Sequence, residues 1–433
     1  MENDRNLGYT TEQYKVYRRY AWRYLVLFSC LYMTLYCCRL NLGNAAGIIM
    51  EDLSWAAKDI GILTSVLFWS YGIGQLVNGR LSEIAGPGRF IAAAALLSPL
   101  CNLLISMQSS LAIMAVIWAF NGFFQSMAWS PGLALISRWW PGERHGFAAG
   151  FVHAFSGFGQ ALCMVTVAAA LKWLPSLGWR SCFILPAAIP VTLFVIYKLF
   201  TRETPAKAGL PEFTSEDPED AENEEKMRAL VKEKGNLYPY LYLLQNKQFD
   251  AWLIIVFLGG IIRYGLATWI PLYFSDRFGV DITAGLLQSL AFPVGMGIGT
   301  FVLPVLTDKF CPKDRLPAVI ACAALLAASV AAFLLLDPTT AAGSALVSIV
   351  LFLAGFALYA ITGCAFTYAC DVGGRVFTAT ASGVLDFCSY MGAAVQSLVY
   401  GFFLKQLGWN MVFVSIAVMS LLILLIALKS KKK

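Results

Sequence analysis

Charge is scarce in this sequence. Asp, Glu, Lys and Arg make up 13% of the 433 residues, against about 25% in an ordinary soluble domain, while 58% of the chain is hydrophobic and the mean hydropathy is +0.66. That balance excludes a water-soluble globular protein and points to a polytopic membrane protein. Histidine is nearly missing, with His145 and His153 the two in the chain. The sequence shows no metal-ligand spacing, nucleophile triad or nucleotide-binding glycine loop, so neither an enzyme nor a cofactor or metal is implied. Eleven cysteines are present, but none form a CxxC pair. Most lie inside apolar runs, as do Cys37, Cys38, Cys163, Cys322 and Cys388, where they read as small packing residues. The net charge of +6 collects at the termini and between apolar runs, as in the lysine-rich tail 429–433. This placement suits cytoplasmic flanks of a membrane protein and gives no reason to expect nucleic acid as a partner.

What the chain has is a series of apolar runs long enough to cross a bilayer, each needing roughly 20 residues. In the first half they cover approximately 21–43, 59–81, 89–108, 111–136, 145–172 and 179–200. The second half gives 250–274, 285–307, 316–336, 343–369, 377–404 and 409–428. The predicted fold class is an all-α membrane protein with twelve transmembrane helices in two six-helix bundles. The expected organisation is a cytoplasmic segment 1–20, a bundle 21–200, a linker 201–247, a second bundle 248–428 and a basic tail 429–433. The linker contains the acidic run SEDPEDAENEE, too charged to enter a bilayer. Basic residues before the first span and after spans two, four, eight and ten place both termini in the cytoplasm. The first span follows a polar segment and precedes no small-residue cleavage site, so it is expected to persist rather than be removed as a signal peptide.

Two arginines interrupt these runs. Arg39 and Arg263 lie 224 residues apart, at corresponding places in the two halves. A lipid-facing arginine costs roughly 2.5 to 3.5 kcal/mol even on lenient insertion scales, so both should face a wet interior. A guanidinium is a planar fork of donors that matches phosphate or carboxylate oxygens, and two forks from opposite halves would grip a dianion and draw the halves together. The alternative is permanent pairing with an acid or helix carbonyls; the near-equal spacing favours the anion role. A second repetition supports the two-half organisation. GRLSEIAGPGR follows span two and PVLTDKFCPKDR follows span eight, placing Glu83 and Asp308 225 residues apart. An acid followed by an arginine at a helix end, Glu83 with Arg89 and Asp308 with Arg315, can latch one side of the protein shut. Ordinary positive-inside loop charge is the plainer account of the same residues.

The first of these loops, opening at Gly79, resembles the loop signature of the major facilitator superfamily, with Glu83 where that signature has aspartate. The strings YMTLYCCRLNLG, SYGIGQLVNG, GFFQSMAWSPGLALISRWWPGER, IIRYGLATWIPLY and ETPAKAGLP are similar, more narrowly, to the organophosphate:phosphate antiporters within it. The resemblance covers essentially the whole chain. It implies two pseudo-symmetric bundles built from inverted repeats, a site near the membrane midplane and transport by rocking one bundle against the other. It assigns the grip on phosphate to Arg39 and Arg263.

Other candidates gather around this pair. Tyr32 and Tyr36 precede Arg39 on nearly one helical face, and Tyr71, Tyr264, Tyr359 and Tyr390 lie in other spans. Their hydroxyls could donate to phosphate or orient the guanidinium groups, and the family pattern is aromatic at most of these positions. Packing or interfacial roles remain the alternative. Gln125 and Trp129, one turn apart in span four, could line the cavity or serve helix packing. The chain also departs from the family pattern: Gln75 stands where the pattern has a lysine, and Phe155 where it has a histidine. His153 is two residues earlier, about 200° around a helix, so it faces differently from Phe155 and cannot simply inherit that role, but it stands with Asp386 as a possible coupling or counter-ion group. Asp386 appears in mid-span eleven, four residues before Tyr390. It could be a counter-ion to the arginines, a proton-coupling group or a ligand for a cationic part of the substrate.

The expected function is secondary transport, exchanging an organic phosphate for inorganic phosphate by alternating access. Proton-coupled uptake of a small organic anion through Asp386 is the alternative, and a non-transporting organophosphate receptor is more remote. The expected partners are a small anion and the lipid bilayer, with the protein a monomer in the inner (plasma) membrane.

Overall fold

A capping box opens the first helix: the Thr10 hydroxyl accepts from the Gln13 N–H at 3.3 Å, and the Gln13 side chain accepts from the Thr10 N–H at 3.0 Å. This local signal starts the helix at Thr11, about ten residues before the apolar run on which the expected span was placed. The computed structural model describes residues 9–140, 144–211, 218–235, 237–310 and 316–430. Among them every regular element is helical.

The first six spans are Thr11–Leu35, Ala57–Ala85, Pro87–Ser106, Leu111–Trp139, Arg144–Trp173 and Ser181–Phe200. In the second half the seventh is Lys247–Phe278, the eighth joins Ile282–Ser289 to Ala291–Phe310, and the ninth is Leu316–Phe333. The last helical stretch runs from Ala341 to Ser430. As one rod its 90 residues would be about 135 Å long, several times the thickness of a bilayer. It folds back twice. Tyr359 packs under Arg263 while Tyr390 packs on the adjacent Tyr264, although 31 residues of straight helix would separate them by about 46 Å. The second reversal lies at Gly408, whose φ of 70° suits glycine, and it brings the Tyr400 hydroxyl within 2.6 Å of Ser415 Oγ. The stretch therefore supplies spans ten, eleven and twelve, completing the twelve-helix architecture.

Each half packs its own core, but Tyr264, Tyr390, Ala393 and Ala394 of the second half join the first half's core and fuse the two across their interface. Glycines permit the closest crossings. In the half of the bundle remote from Thr11, a Cβ at Gly61 of span two would lie 2.5 Å from the Ser397 carbonyl and 3.0 Å from Gly401 Cα in span eleven. Gly157 of span five meets Gly297 of span eight in the same way. On the outer faces, long apolar side chains such as Val116, Phe120, Leu421 and Leu425 are exposed. Lipid covers such faces in a membrane.

The segment after span six folds onto the first half. Trp139 Nε1 donates to the Arg202 carbonyl, Leu210 is buried, and Glu203 pairs with Lys198 and Lys207. Burial alone would raise the Glu203 carboxyl, but the two lysines more than offset it and hold it below its usual range. Further along, helices Pro218–Lys234 and Tyr238–Leu244 lead into span seven.

Candidate anion-binding site

Arg39 sits at a break in the first span rather than within a helix. After Leu35 the chain tightens into a short 3₁₀ turn, Tyr36–Cys38, and resumes as short helices Asn41–Asn44 and Ala46–Leu53. A break in a membrane span frees backbone carbonyls that must find other partners. Here amides from other spans supply them. Asn121 Nδ2 and Asn102 Nδ2 donate to the Cys38 carbonyl at 2.8 and 3.0 Å, and Gln125 Nε2 donates to the Leu35 carbonyl at 2.9 Å. Ser98 Oγ ties this set together, accepting from Gln125 and donating to Asn121 Oδ1. Removing a partner strands a buried carbonyl at about 1–3 kcal/mol. Asn121→Leu should therefore visibly lower the melting temperature of the detergent-purified protein, and an unchanged melting curve would show that the break is held by other means.

The break points Arg39 inward. Its Nε and Nη2 donate to Gln125 Oε1 at 3.2 and 2.9 Å, and Nη1 donates to the Tyr390 hydroxyl of the opposite half at 2.5 Å. The guanidinium lies between the rings of Tyr36 and Tyr71, 4.5 and 4.3 Å from their centroids. Arg263 comes from an unbroken helix and crosses the interface the other way, donating from Nη2 to the Tyr36 hydroxyl at 3.2 Å. Its guanidinium lies over Tyr264 and Tyr359 at 4.6 and 4.9 Å, and its Nε is buried without a partner. Both guanidinium groups thus share the Tyr36 ring, Arg263 at 5.9 Å.

The tyrosines form a continuous wall. Tyr264 donates to the Tyr390 hydroxyl at 2.9 Å, Tyr71 and Tyr390 pack at 4.1 Å, and Tyr32 packs on Tyr36 and Trp129. Gln125 anchors Arg39, while Trp129 touches His153 and Phe366 with its Nε1 unpartnered. Gln75 accepts from Ser130 and leaves its Nε2 unpartnered. The Tyr71 hydroxyl, Gln75 Nε2, Trp129 Nε1, His153 Nε2 and Arg263 Nε are therefore five buried hydrogen-bonding groups without a partner among the described residues of this region. An oxygen-rich anion is the kind of ligand that satisfies such a set.

His153 and Phe155 face different neighbours, and it is His153 that reaches the centre: its ring stacks on Tyr359 at 5.3 Å, and Trp129 and Phe366 pack against it. Phe155 packs instead against Phe151 and Phe158. The physical reason is the register of span five, which presents His153, Ser156 and Gln160 on one face. Ser156 Oγ and Gln160 Nε2 both point at the Tyr359 hydroxyl, at 3.4 and 3.5 Å. Ser156, Gln160, Asn102 and Asn121 are not among the residues the sequence singles out, although isolated amides in apolar spans are a signal for such roles.

Direct pairing of Asp386 with the arginines does not occur among the described residues, where no ion pair within 4.0 Å joins them. Gly79 packs near Ser130 and Arg89 is exposed at the start of span three. The side chains of Glu83 and Asp308, and Arg315 entirely, lie outside the described residues, as does the latch read from them.

This architecture is that of a family of membrane transporters. The chain belongs to the Major Facilitator Superfamily, whose sequence model matches residues 28–397. It is a multi-pass membrane protein of a family of transporters, not an enzyme. It is similar to the phosphoglycerate transporter protein of Salmonella typhimurium, 26% identical over 402 residues that cover 91% of this chain and 85% of the relative. It is also similar to the glycerol-3-phosphate transporter of Bacillus subtilis, 26% identical over 391 residues that cover 88% and 85%. Among solved structures, a bacterial homolog of the human lysosomal transporter Spinster, inward-facing and unoccupied, matches with a TM-score of 0.70 at 16% identity, over 94% of this chain and 95% of that one. At that identity the likeness is one of fold.

Proposed function

We propose that this protein exchanges an organic phosphate for inorganic phosphate across the inner membrane, by alternating access, with both termini in the cytoplasm. The observation that carries this reading is the pair Arg39 and Arg263, brought from opposite halves onto one tyrosine with no ion pair to a carboxylate among the described residues. The transport of organic phosphates by the two relatives supports it. Each arginine bonds a tyrosine of the other half, so an anion bound between them would hold the halves together. Without an anion the centre keeps an excess of buried positive charge in a low-dielectric interior, which disfavours reorientation of the empty carrier and favours exchange over leak.

The test is uptake of labelled phosphate by proteoliposomes with and without phosphate inside. Uptake that requires internal phosphate and is inhibited by external phosphate esters is expected. Uptake indifferent to internal phosphate would overturn the exchange mechanism, and binding without any flux would point to a receptor.

Asp386, buried and without an ion pair among the described residues, favours a second reading, proton-coupled uptake of a small organic anion. On that reading an inward proton gradient accelerates uptake and Asp386→Asn abolishes the response. On the exchange reading the same substitution shifts substrate affinity and leaves flux independent of the gradient.

A further inference from the structure

Asp386 is unexplained by a site built only for an anion. Among the described residues the buried charged side chains are Arg39, Arg263 and Asp386. The Asp386 carboxylate has neither an ion pair nor a hydrogen-bond partner among them. A buried carboxylate without a partner is unfavourable unless a cation or proton joins it.

Its surroundings are defined by neighbours on the same helical face of span eleven. Three residues before it, Gly383 approaches the Gln75 carbonyl at 3.8 Å from a Cβ position; four residues after it, Tyr390 packs on Tyr71 at 4.1 Å. Asp386 lies between these contacts along span eleven, on the face turned to the 71–75 turn of span two. The aromatic rings there suit a cation next to a carboxylate. Asp386 stands one helical turn, about 5.4 Å, along the span from Tyr390, which bonds Arg39.

We propose that the preferred organic substrate carries an ammonium group on a short tether from its phosphate, with the ammonium held by Asp386 and the phosphate by Arg39 and Arg263. This rests on the organophosphate reading above and narrows it. Two guanidinium groups and one carboxylate leave one positive charge at the centre. An aminoalkyl phosphate, with a dianionic phosphate and one ammonium, neutralises that charge, as does monoanionic inorganic phosphate. A neutral-tailed ester dianion leaves a buried negative charge. A tether of about two or three carbons is commensurate with the single helical turn between Asp386 and Tyr390.

The experiment is inhibition of labelled-phosphate exchange in phosphate-loaded proteoliposomes by aminoethyl phosphate and by hydroxyethyl phosphate, its near-isostere without the positive charge. At neutral pH the amino ester is expected to compete roughly tenfold better or more, the scale of one hydrogen bond to a charged group. Asp386→Asn should erase the preference, and Asp386→Glu should keep it in part, which separates loss of charge from loss of fold. Equal inhibition by the two esters, or an unchanged preference in Asp386→Asn, overturns the proposal while phosphate self-exchange still stands. If no phosphate exchange occurs, the exchanger reading fails and thermal stabilisation of the purified protein by the same two esters decides this one. Stronger stabilisation by the amino ester that is lost in Asp386→Asn supports it; equal stabilisation overturns it.

Discussion

Replacing either Arg39 or Arg263 by lysine is expected to reduce phosphate exchange roughly 100-fold or more while the protein remains folded in the membrane. Lysine keeps the charge but loses the planar fork, and hydrogen bonds to a charged group are worth about 1.5–3 kcal/mol each. The two substitutions should differ in a second measurement. Arg39 is bound three times by protein, twice to Gln125 and once to Tyr390, so Arg39→Lys strands part of a buried network and should lower thermal stability as well. Arg263 donates once, to Tyr36, and keeps its Nε free of protein partners. Its lysine variant should lose exchange with little change in melting temperature. The measurements are exchange in proteoliposomes and melting curves of the same preparations. Exchange within a few-fold of wild type in either variant would remove that arginine from the anion site, and equal loss of stability in both would remove the asymmetry.

That asymmetry shows how far the sequence could be read. The spans, the two-half repetition and the arginine pair were legible because each leaves a one-dimensional trace, namely hydropathy, a near-constant offset and a charge inside an apolar run. All eleven residues proposed to line the site are buried. The break at Arg39 left no such trace. The residues Tyr36, Cys37, Cys38, Arg39 and Leu40 contain no proline or glycine. The carbonyls freed there are met by Asn102, Asn121 and Gln125, which lie far along the chain and can be assigned only once the helices are packed. The neighbours of His153 left no trace for a related reason. A shift of two residues turns a helical face by about 200°, and the face of span five is set by its contacts with Tyr359 of the other half. Charge and hydropathy carry the architecture, while rotation about each helix axis is a property of the packed interface.

The same interface yields the other large expected effect. Gly61→Leu should lower exchange roughly tenfold or more without unfolding the protein. Even a Cβ at Gly61 would meet the Ser397 carbonyl at 2.5 Å and Gly401 Cα at 3.0 Å, both backbone atoms of span eleven that cannot rotate aside. The Ser65 hydroxyl donates to the Ala394 carbonyl one turn further along, so the strain falls where the two spans are already joined. Overpacking of this kind costs about 1–3 kcal/mol. Because it acts only on the arrangement in which spans two and eleven touch, it changes the ratio of the two carrier states by about 5- to 150-fold. An exchanger that must pass through both states in each cycle slows accordingly, while substrate binding to the purified protein persists. Gly150→Leu is the matched control, since a Cβ at Gly150 has nothing within 4 Å. If Gly61→Leu and Gly150→Leu exchange phosphate at the same near-wild-type rate, close packing of spans two and eleven is not a step of the transport cycle. If Gly61→Leu alone is slow and still binds substrate, the glycine crossing acts as a door that must close.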